Sequence, residues 1–321
     1  MELITGENDK NRRLDRILRK ALPDYPLPLI HKLLRQKKVL VDGKPGKPDD
    51  RLNIGAKIII QKEFTQIHKY TKNTEEEKEV NLSSLDILWE SSDLLALNKP
   101  AGLAVHGTNS LDSIAQLYLA DKLSPSLSFK PGPLHRLDKP SSGIVVFSKS
   151  LEGARLFTSL MHERKIRKTY LAIVEGKIEK EEIWQDELTR DKEKKKTFIA
   201  KKSGTGKDAI TKIIPLSFKD GCTLIKAEIE TGRTHQIRAQ AAAHGHPLVG
   251  DVKYGAKKIK NKELEIQNKD KVDIFLHAWK LEFLDVKIEA PLHMDTNRFP
   301  DCFHKCFSVW ESSGKTGDFD K

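Results

Sequence analysis

The hydrophobic periodicity of this chain changes once, across a single polar stretch, and that change limits the fold more than any other feature. Before residue 61 the apolar residues recur at helical spacing. "RRLDRILRKAL" sets Leu14, Ile17, Leu18, Ala21 and Leu22 along one helical face. "LIHKLLRQKKV" repeats the pattern, with Leu29, Ile30, Leu33 and Leu34 inward and Lys32, Arg35, Lys37 and Lys38 outward. "VLVDGKP" then predicts an Asp-Gly turn between two short strands, and "GAKIII" closes a small α/β unit at residues 12–61. Residues 62–84, centred on "NTEEEKE", are polar and aperiodic and read as a linker.

From Leu85 the pattern becomes strands with a few helices between them. "DLLALNK" is predicted as a strand ending at Lys99-Pro100-Ala101-Gly102, and "LDSIAQLYLADKL" as an amphipathic helix. A turn and a buried strand follow in "PLHRLDKPSSGIVVFSKS", then a helix from about Leu151 to Glu163 and a strand in "TYLAIVEGKI". Further strands are expected near 196–200, 209–218 and 222–231, with a helix in "RTHQIRAQAAAH" stopped by Gly245. "FLHAWKLEFL" and "VKIEAP" supply the last strands. Period-2 runs joined by short turns imply an α+β domain over 85–292, a largely antiparallel mixed sheet with helices packed on it. Residues 293–321 give mixed signals and no assignment.

A length of 321 residues suits two such units. The formal net charge of +11 points to a polyanionic partner, since each phosphate neutralised by Lys or Arg releases condensed counterions. Three cysteines, Cys222, Cys302 and Cys306, are too few for a disulfide framework and indicate a reducing compartment. The first residues lack the apolar core of a signal peptide, and no window approaches the ~18 apolar residues of a membrane span. A cytoplasmic protein is expected, with no membrane contact and nothing that demands more than a monomer.

"PLHRLDKPSSGIVVFSKS" places Arg136 and Asp138 two residues apart at the mouth of a buried strand. It is not a kinase catalytic loop, because Leu137 interrupts the His-Arg-Asp run and no Gly-rich loop precedes it. "GTGK" at Gly204–Lys207 lacks the spacing of a phosphate loop. Cys302, His304 and Cys306 lack a second pair at zinc-finger spacing, so no metal site is assigned and no cofactor motif is found. A lone Asp before Lys-Pro would ordinarily be a turn residue. Two further segments weigh against that: "ETGRTHQIRAQAAAHGHPLVGDVKYG" sets Thr234, His235 and Arg238 on one helix face, and "RKIRKTYLAIVEG" sets Tyr170 at the start of a strand.

These segments, with "LNKPAGLAVHG" ahead of them, resemble the RluA family of RNA pseudouridine synthases over nearly the whole chain. "HRLDKPSSGIVVFSK" and "GRTHQIRAQ", about a hundred residues apart, carry the resemblance. The 12–61 unit resembles an S4-like RNA-binding domain, and 85–292 the catalytic domain. Within the family the chain looks closest to the RluC-type subgroup that modifies large-subunit ribosomal RNA. It departs at Lys139-Pro140-Ser141, where that subgroup usually has Arg-Asp-Thr.

The resemblance implies a cofactor-free isomerisation that detaches uracil at N1, turns it and rejoins it through C5. Asp138 would be the essential carboxylate, attacking the nucleotide or stabilising the charge that develops as the glycosidic bond breaks. Burial favours a neutral carboxyl, so an opposing cation is required, and Arg238 matches the family's partner arginine. Tyr170 would pack on the base and assist proton transfer, and Arg136 would fill the gap left by a flipped base. In this arrangement Leu137 points the opposite way, into the core. His135 and His235 would support the site. The segment 192–212, with eight lysines, two acids and a flexible Gly-Thr-Gly centre, is expected to rim the RNA through residues such as Lys195 and Lys201. The insertion 257–272 reads as a surface loop. Transfer RNA is the alternative substrate; a non-catalytic RNA-binding ribosome-associated factor and a hydrolytic glycosylase with an Asp nucleophile are the alternatives outside this chemistry.

Overall fold

The computed structural model describes residues 1–61, 85–123, 125–191, 193–257, 274–292 and 301–313. The expected linker at 62–84 and all but the first residue of the expected loop at 257–272 lie outside them.

The N-terminal unit contains β1 (Glu2–Ile4), β2 (Arg12–Arg13), α1 (Leu14–Ala21), α2 (Leu27–Arg35), β3 (Val39–Val41), β4 (Lys44–Pro45), β5 (Arg51–Leu52) and β6 (Lys57–Ile60). Its antiparallel sheet runs β1-β6-β3-β4, with β2 and β5 paired apart from it. Leu14, Ile17 and Leu18 of α1 meet Ile30, Leu33 and Leu34 of α2 and Ile58 of β6 in one core. Helix α2 stops at Arg35, short of the reach of its apolar pattern. Lys37 takes a left-handed φ of 58°, its N–H donates to the Leu34 carbonyl, and the Lys38 N–H donates to that of Leu33. These two bonds close the last turn as a Schellman cap and release Val39 into β3. Asp42 and Gly43, with φ of 50° and 80°, form the tight hairpin turn that the Asp-Gly pair predicts.

The larger unit contains β7 (Ile87–Glu90), β8 (Leu94–Lys99), α3 (Leu111–Leu119), β9 (Gly132–Pro133), β10 (Ser142–Ser148), α4 (Leu151–His162), β11 (Arg167–Glu175), β12 (Glu182–Asp191), β13 (Lys196–Ile199), β14 (Lys207–Lys219), β15 (Cys222–Ile229), α5 (Gln236–Ala243), β16 (Leu276–Phe283), β17 (Val286–Glu289) and α6 (Asp301–Ser312). Its sheet runs β13-β12-β14-β15-β11-β16-β10-β8-β7, with β17 on β16 and β9 on β10. Every pairing is antiparallel except β10 with β16. The mixed, mainly antiparallel α+β architecture therefore agrees with the period-2 reading. Strand β12 was not legible in the sequence, because Trp184 and Leu188 are its only buried residues and sit four apart. Helix α6 was also unread.

Period 2 in the strands sorts residues onto two helical layers. Ala172 and Val174 of β11 pack with Ile237 and Ala241 of α5, whereas Leu171 and Ile173 pack with Phe303, Cys306 and Phe307 of α6. Further along, Leu95, Leu97, Val145 and Phe147 face α3, while Ala96, Ile144 and Val146 face α4. Helices α3 and α5 thus share one face and α4 and α6 the other.

The two units meet at a buried carboxylate. Asp9 accepts hydrogen bonds from the backbone N–H groups of Gly6, Leu127 and Ser128 and from the hydroxyls of Ser126 and Ser128. Burial works against its ionisation, but these donors outweigh it and hold the carboxyl below the usual range. Arg12 Nη1 donates to the Ser128 carbonyl at 2.9 Å, and the Asn8 side-chain oxygen accepts from the N–H of Leu151, the first residue of α4.

Gly143 opens β10 with a φ of 104°, and a Cβ there would lie 2.3 Å from the Ala278 carbonyl oxygen of β16. The β10–β16 pairing needs a residue without a side chain at this point. Gly143→Ala is expected to lower the unfolding free energy by at least about 2 kcal/mol, read by urea denaturation. A loss below about 0.5 kcal/mol would show that the two strands separate freely there.

Candidate active site

Asp138 lies in the loop from β9 to β10, at the sheet face that carries α5. The Ser141 N–H donates to the Asp138 carbonyl at 3.0 Å, so the carboxylate projects from a closed turn. A second loop clamps this turn: Gly102 N–H donates to the Lys139 carbonyl at 2.8 Å. Lys99 is fully buried, and its ammonium donates to the carbonyls of Pro100, Leu103 and Lys139. Burial lowers its pKa to about 8, against the pull of Asp138. The sequence quotes this lysine in "LNKPAGLAVHG", but nothing in its spacing marks it as the brace behind Asp138.

Along Arg136-Leu137-Asp138 the side chains alternate as extended chain requires. Leu137 is buried with Leu97, Val145 and Phe147, while Arg136 is exposed and lines the same pocket of about 70 Å³ as Asp138. The Arg136 guanidinium has no carboxylate partner among the described residues. One residue earlier, His135 Nε2 accepts from the Val146 N–H at 3.1 Å, and its ring stacks on Phe157. Burial, then the charge of Lys168, lowers the His135 pKa to about 4. His135 is therefore a neutral acceptor that fixes the segment carrying Arg136 and Asp138, and it does not line the pocket.

Arg238 comes from α5, whose start is set by His235 in a left-handed conformation. The helix therefore begins at Gln236, later than "RTHQIRAQAAAH" suggests. Two buried glutamines tie it to the sheet: Gln236 Nε2 donates to the Ile210 carbonyl, and Gln240 Nε2 to those of Trp184 and Ala209. From this fixed helix Arg238 Nη1 donates to Asp138 Oδ2 at 3.1 Å. Its Nε and Nη2 grip both oxygens of Asp251 at 2.7 and 2.8 Å. Burial opposes the guanidinium's charge, but Asp251 first and Asp138 second more than restore it, so its pKa is raised. The partner Asp251 was missed at the sequence level; its proximity depends on the turn that follows α5.

Tyr254 completes the wall. The Arg238 guanidinium carbon sits 5.0 Å from its ring centroid, and its hydroxyl accepts from the Thr197 N–H and meets His235 Nδ1 at 2.8 Å. His235 Nε2 is 3.6 Å from Asp138 Oδ1. Burial lowers the His235 pKa against the attraction of Asp138, leaving the ring neutral at pH 7.

Tyr170 projects from β11 beside a bulge in the β11–β16 register, and its ring packs against both the α3 and the α5 cores. Burial, then the Asp138 charge, pushes its phenol well up, so the resting hydroxyl is protonated. Two residues earlier Lys168 is buried near Gly232, and burial, then the charge of Arg233, lowers its pKa. Of the basic cluster before Tyr170, Lys168 is the member drawn inward. Asp138, Tyr170, His235 and Arg136 thus line one pocket, with Arg238 behind the carboxylate.

The lysines expected to grip RNA lie away from this pocket. Lys32, Arg35, Lys37 and Lys38 sit on or just after α2 in the N-terminal unit, with Lys37 also serving the helix cap. Lys195 and Lys201 are exposed at either end of β13. Lys196 is the member of that segment laid over the Tyr254 ring, 4.9 Å from its centroid. The Gly-Thr-Gly centre is anchored, because Glu187 accepts from the N–H groups of Gly204 and Gly206.

The His135 pKa is depressed in the folded chain, so the unfolded chain takes up its proton first on acidification. Stability from this site is complete above pH ~6.5 and lost as the pH falls towards about 4. His135→Gln, which keeps an acceptor for Val146, is expected to flatten the decline of the urea midpoint between those limits. An unchanged slope would show that His135 is solvated.

The RNA pseudouridylate synthase family pattern matches residues 93–243, which include Asp138, Tyr170 and Arg238. Ribosomal large subunit pseudouridine synthase C of Buchnera aphidicola subsp. Schizaphis graminum is 30% identical over 302 residues, covering 91% of this chain and 92% of that protein. Ribosomal large subunit pseudouridine synthase D of Neisseria meningitidis serogroup A is 32% identical over 253 residues, covering 76% of this chain and 63% of that protein. The structure of human RNA pseudouridylate synthase domain containing 4 aligns with a TM-score of 0.54 at 23% identity, over 70% of this chain and 93% of that one, and so shares the fold. The identity to the Buchnera protein, sustained over nearly the whole of both chains, shows that this chain belongs to the RluA family of RNA pseudouridine synthases, isomerases that convert uridine to pseudouridine in RNA.

Proposed function

We propose that this enzyme acts on uridines of large-subunit ribosomal RNA and that Asp138 carries the chemistry. The supporting observation is the Asp138 carboxylate, held by Arg238 at a small pocket that a single base can enter. Relatives that modify the large ribosomal subunit, matched over most of the chain, support the choice of RNA.

A uridine inside folded RNA must first leave its stack, at a cost of a few kcal/mol. Arg136, exposed beside the pocket and free of a carboxylate partner among the described residues, is placed to occupy the vacated space. The base then lies against the Tyr170 ring. As the C1′–N1 bond breaks, the ionised Asp138 either bonds to the nucleotide or faces the developing positive charge on the sugar. The detached uracil, left as its N1 anion, turns; C5 joins C1′ as any bond from Asp138 to the sugar breaks, and the C5 proton leaves while N1 takes up a proton. The protonated Tyr170 hydroxyl can relay that proton but does not rest as a phenolate. Arg238, anchored twice on Asp251, holds Asp138 still through these steps.

The N-terminal unit would act as an S4-like RNA-binding domain, with Lys32, Arg35 and Lys38 towards the nucleic acid. Two helices on a small sheet, with basic residues outside and leucine and isoleucine inside, support this reading. A cytoplasmic site of action follows from a ribosomal RNA substrate.

Tritium release from C5-labelled unmodified RNA tests the reaction. Wild type is expected to release tritium from large-subunit ribosomal RNA and not from bulk transfer RNA. Asp138→Asn should fall below about one per cent of the wild-type rate with RNA binding retained, and residual activity above a few per cent would remove Asp138 from its role. Release from transfer RNA alone would overturn the substrate. Free uracil as product would instead mark a glycosylase.

Arg136→Ala is expected to slow single-turnover conversion by about tenfold or more while changing Kd by less than about threefold. A loss confined to Kd would make Arg136 a phosphate contact only.

A further inference from the structure

A second cleft among the described residues is larger than the Asp138 pocket. It is an open groove of about 680 Å³ along the seam between the N-terminal unit and the segment before β9. Arg12 and Lys20 line it from the N-terminal side; Phe129, Lys130 and Ala154 line it from the other. Among the described residues no carboxylate lines it. Arg155, next to Ala154, and Arg16, one turn below Lys20, add charge at its edges.

The buried Asp9, bonded to Ser126 and Ser128, is the counter-charge that acts on Arg12. Arg12 uses Nη1 on Ser128, and Arg12, Arg16, Lys20, Lys130 and Arg155 have no carboxylate within ion-pair distance among the described residues. Burial and the neighbouring charge of Arg155 make protonation of Arg12 harder, Asp9 opposes this, and Arg16 adds to the repulsion. Like charges gathered in excess of the single Asp9 carboxylate raise the energy of the empty groove, and an anion laid along it relieves the repulsion. The Asp9 contacts hold the two walls together, so the groove exists before any ligand arrives.

Phe129 gives the ligand its class. It is partly exposed on the groove wall beside Lys130. A row of cations with an interleaved aromatic face suits single-stranded nucleic acid, whose phosphates meet the cations while a base stacks on the ring. Pro133, on the groove wall, is five residues from Asp138, which sets an upper limit of about 18 Å of extended chain between them. The groove opens on the α4 side of the sheet and the pocket on the α5 side, so a stacked flank, advancing about 3.4 Å per nucleotide, needs more than the roughly five nucleotides of the direct span.

We propose that the seam between the two units is a second RNA-binding site, which takes the phosphates of single-stranded RNA flanking the target uridine. It rests on the reading of this enzyme as one that acts on RNA. Binding is thereby shared between the units, and the groove senses the flank while the pocket senses the base.

The test uses the full chain and a large-subunit ribosomal RNA fragment that keeps at least ten unpaired nucleotides on each side of the modified uridine. Kd is measured across a salt series for wild type, for Lys130→Gln/Arg155→Gln, and for Lys177→Gln/Lys180→Gln, an equal change of charge on exposed residues after β11. Loss of two phosphate contacts is expected to reduce the slope of log Kd against log salt by about 1.4, and to raise Kd about tenfold at low salt. The Lys177/Lys180 variant should keep the wild-type slope. With both flanks trimmed to two nucleotides, wild type and the groove variant should coincide. Equal slopes for wild type and groove variant on the long RNA would overturn the proposal, as would an equal loss in the Lys177/Lys180 variant. Pseudouridine yield is read on the same RNA; its absence with wild type would strike the proposed substrate, while the salt slopes would still decide the seam.

Discussion

The site depends on one buried guanidinium shared between two carboxylates. Arg238 is nearly inaccessible, as is Asp251, and desolvating either alone would cost several kcal/mol. Paired bidentately they compensate each other, and the remaining Nη1 is aimed at Asp138. The order of strengths matters. The closer, two-pronged contact with Asp251 fixes the arginine, and the single contact leaves Asp138 with free lone pairs for a substrate. An arginine held by Asp138 alone would move with it; one anchored elsewhere acts as a fixed field.

The rest of the α5 face serves this arrangement. Gln236 and Gln240 bond the helix to β14 and β12, and Tyr254 caps the guanidinium while bonding His235 and the β13 backbone. On the opposite side Lys99 braces the turn that carries Asp138 with three carbonyl contacts. Carboxylate and guanidinium thus arrive from separate, independently braced elements. Such double support keeps the separation of the two groups fixed.

The parts of this protein that were legible in its sequence are those governed by local periodicity. The buried runs Leu94–Lys99 and Ser142–Ser148, the apolar stripes of α1 and α2 and the Asp-Gly hairpin each announce themselves within a few residues. Strand β12 did not, because an exposed, charge-rich strand carries no alternation. Asp138 and Arg238 could be singled out only through their motifs, and their 3.1 Å contact across a hundred residues is beyond any local pattern. Asp251 and Tyr254 had no signal beyond ordinary turn and core residues, since their meaning comes from the fold returning to α5. The left-handed turn at His235, which sets where α5 begins, was likewise invisible.

Strand β16 lies between β10 and β11 and, among the described residues, is the only strand linking the Asp138 half of the large sheet to the half that bears Tyr170 and supports Arg238. Its hydrogen-bonded partner Ser142 precedes His277 by 135 residues. During synthesis the earlier half can collapse on α3 and α4, and the later half on α5, while the seat between them stays vacant. Closing so long a loop is slow, and it cannot begin until Leu276–Phe283 has left the ribosome. The sheet that seats both Asp138 and Arg238 is therefore completed in one late joining step.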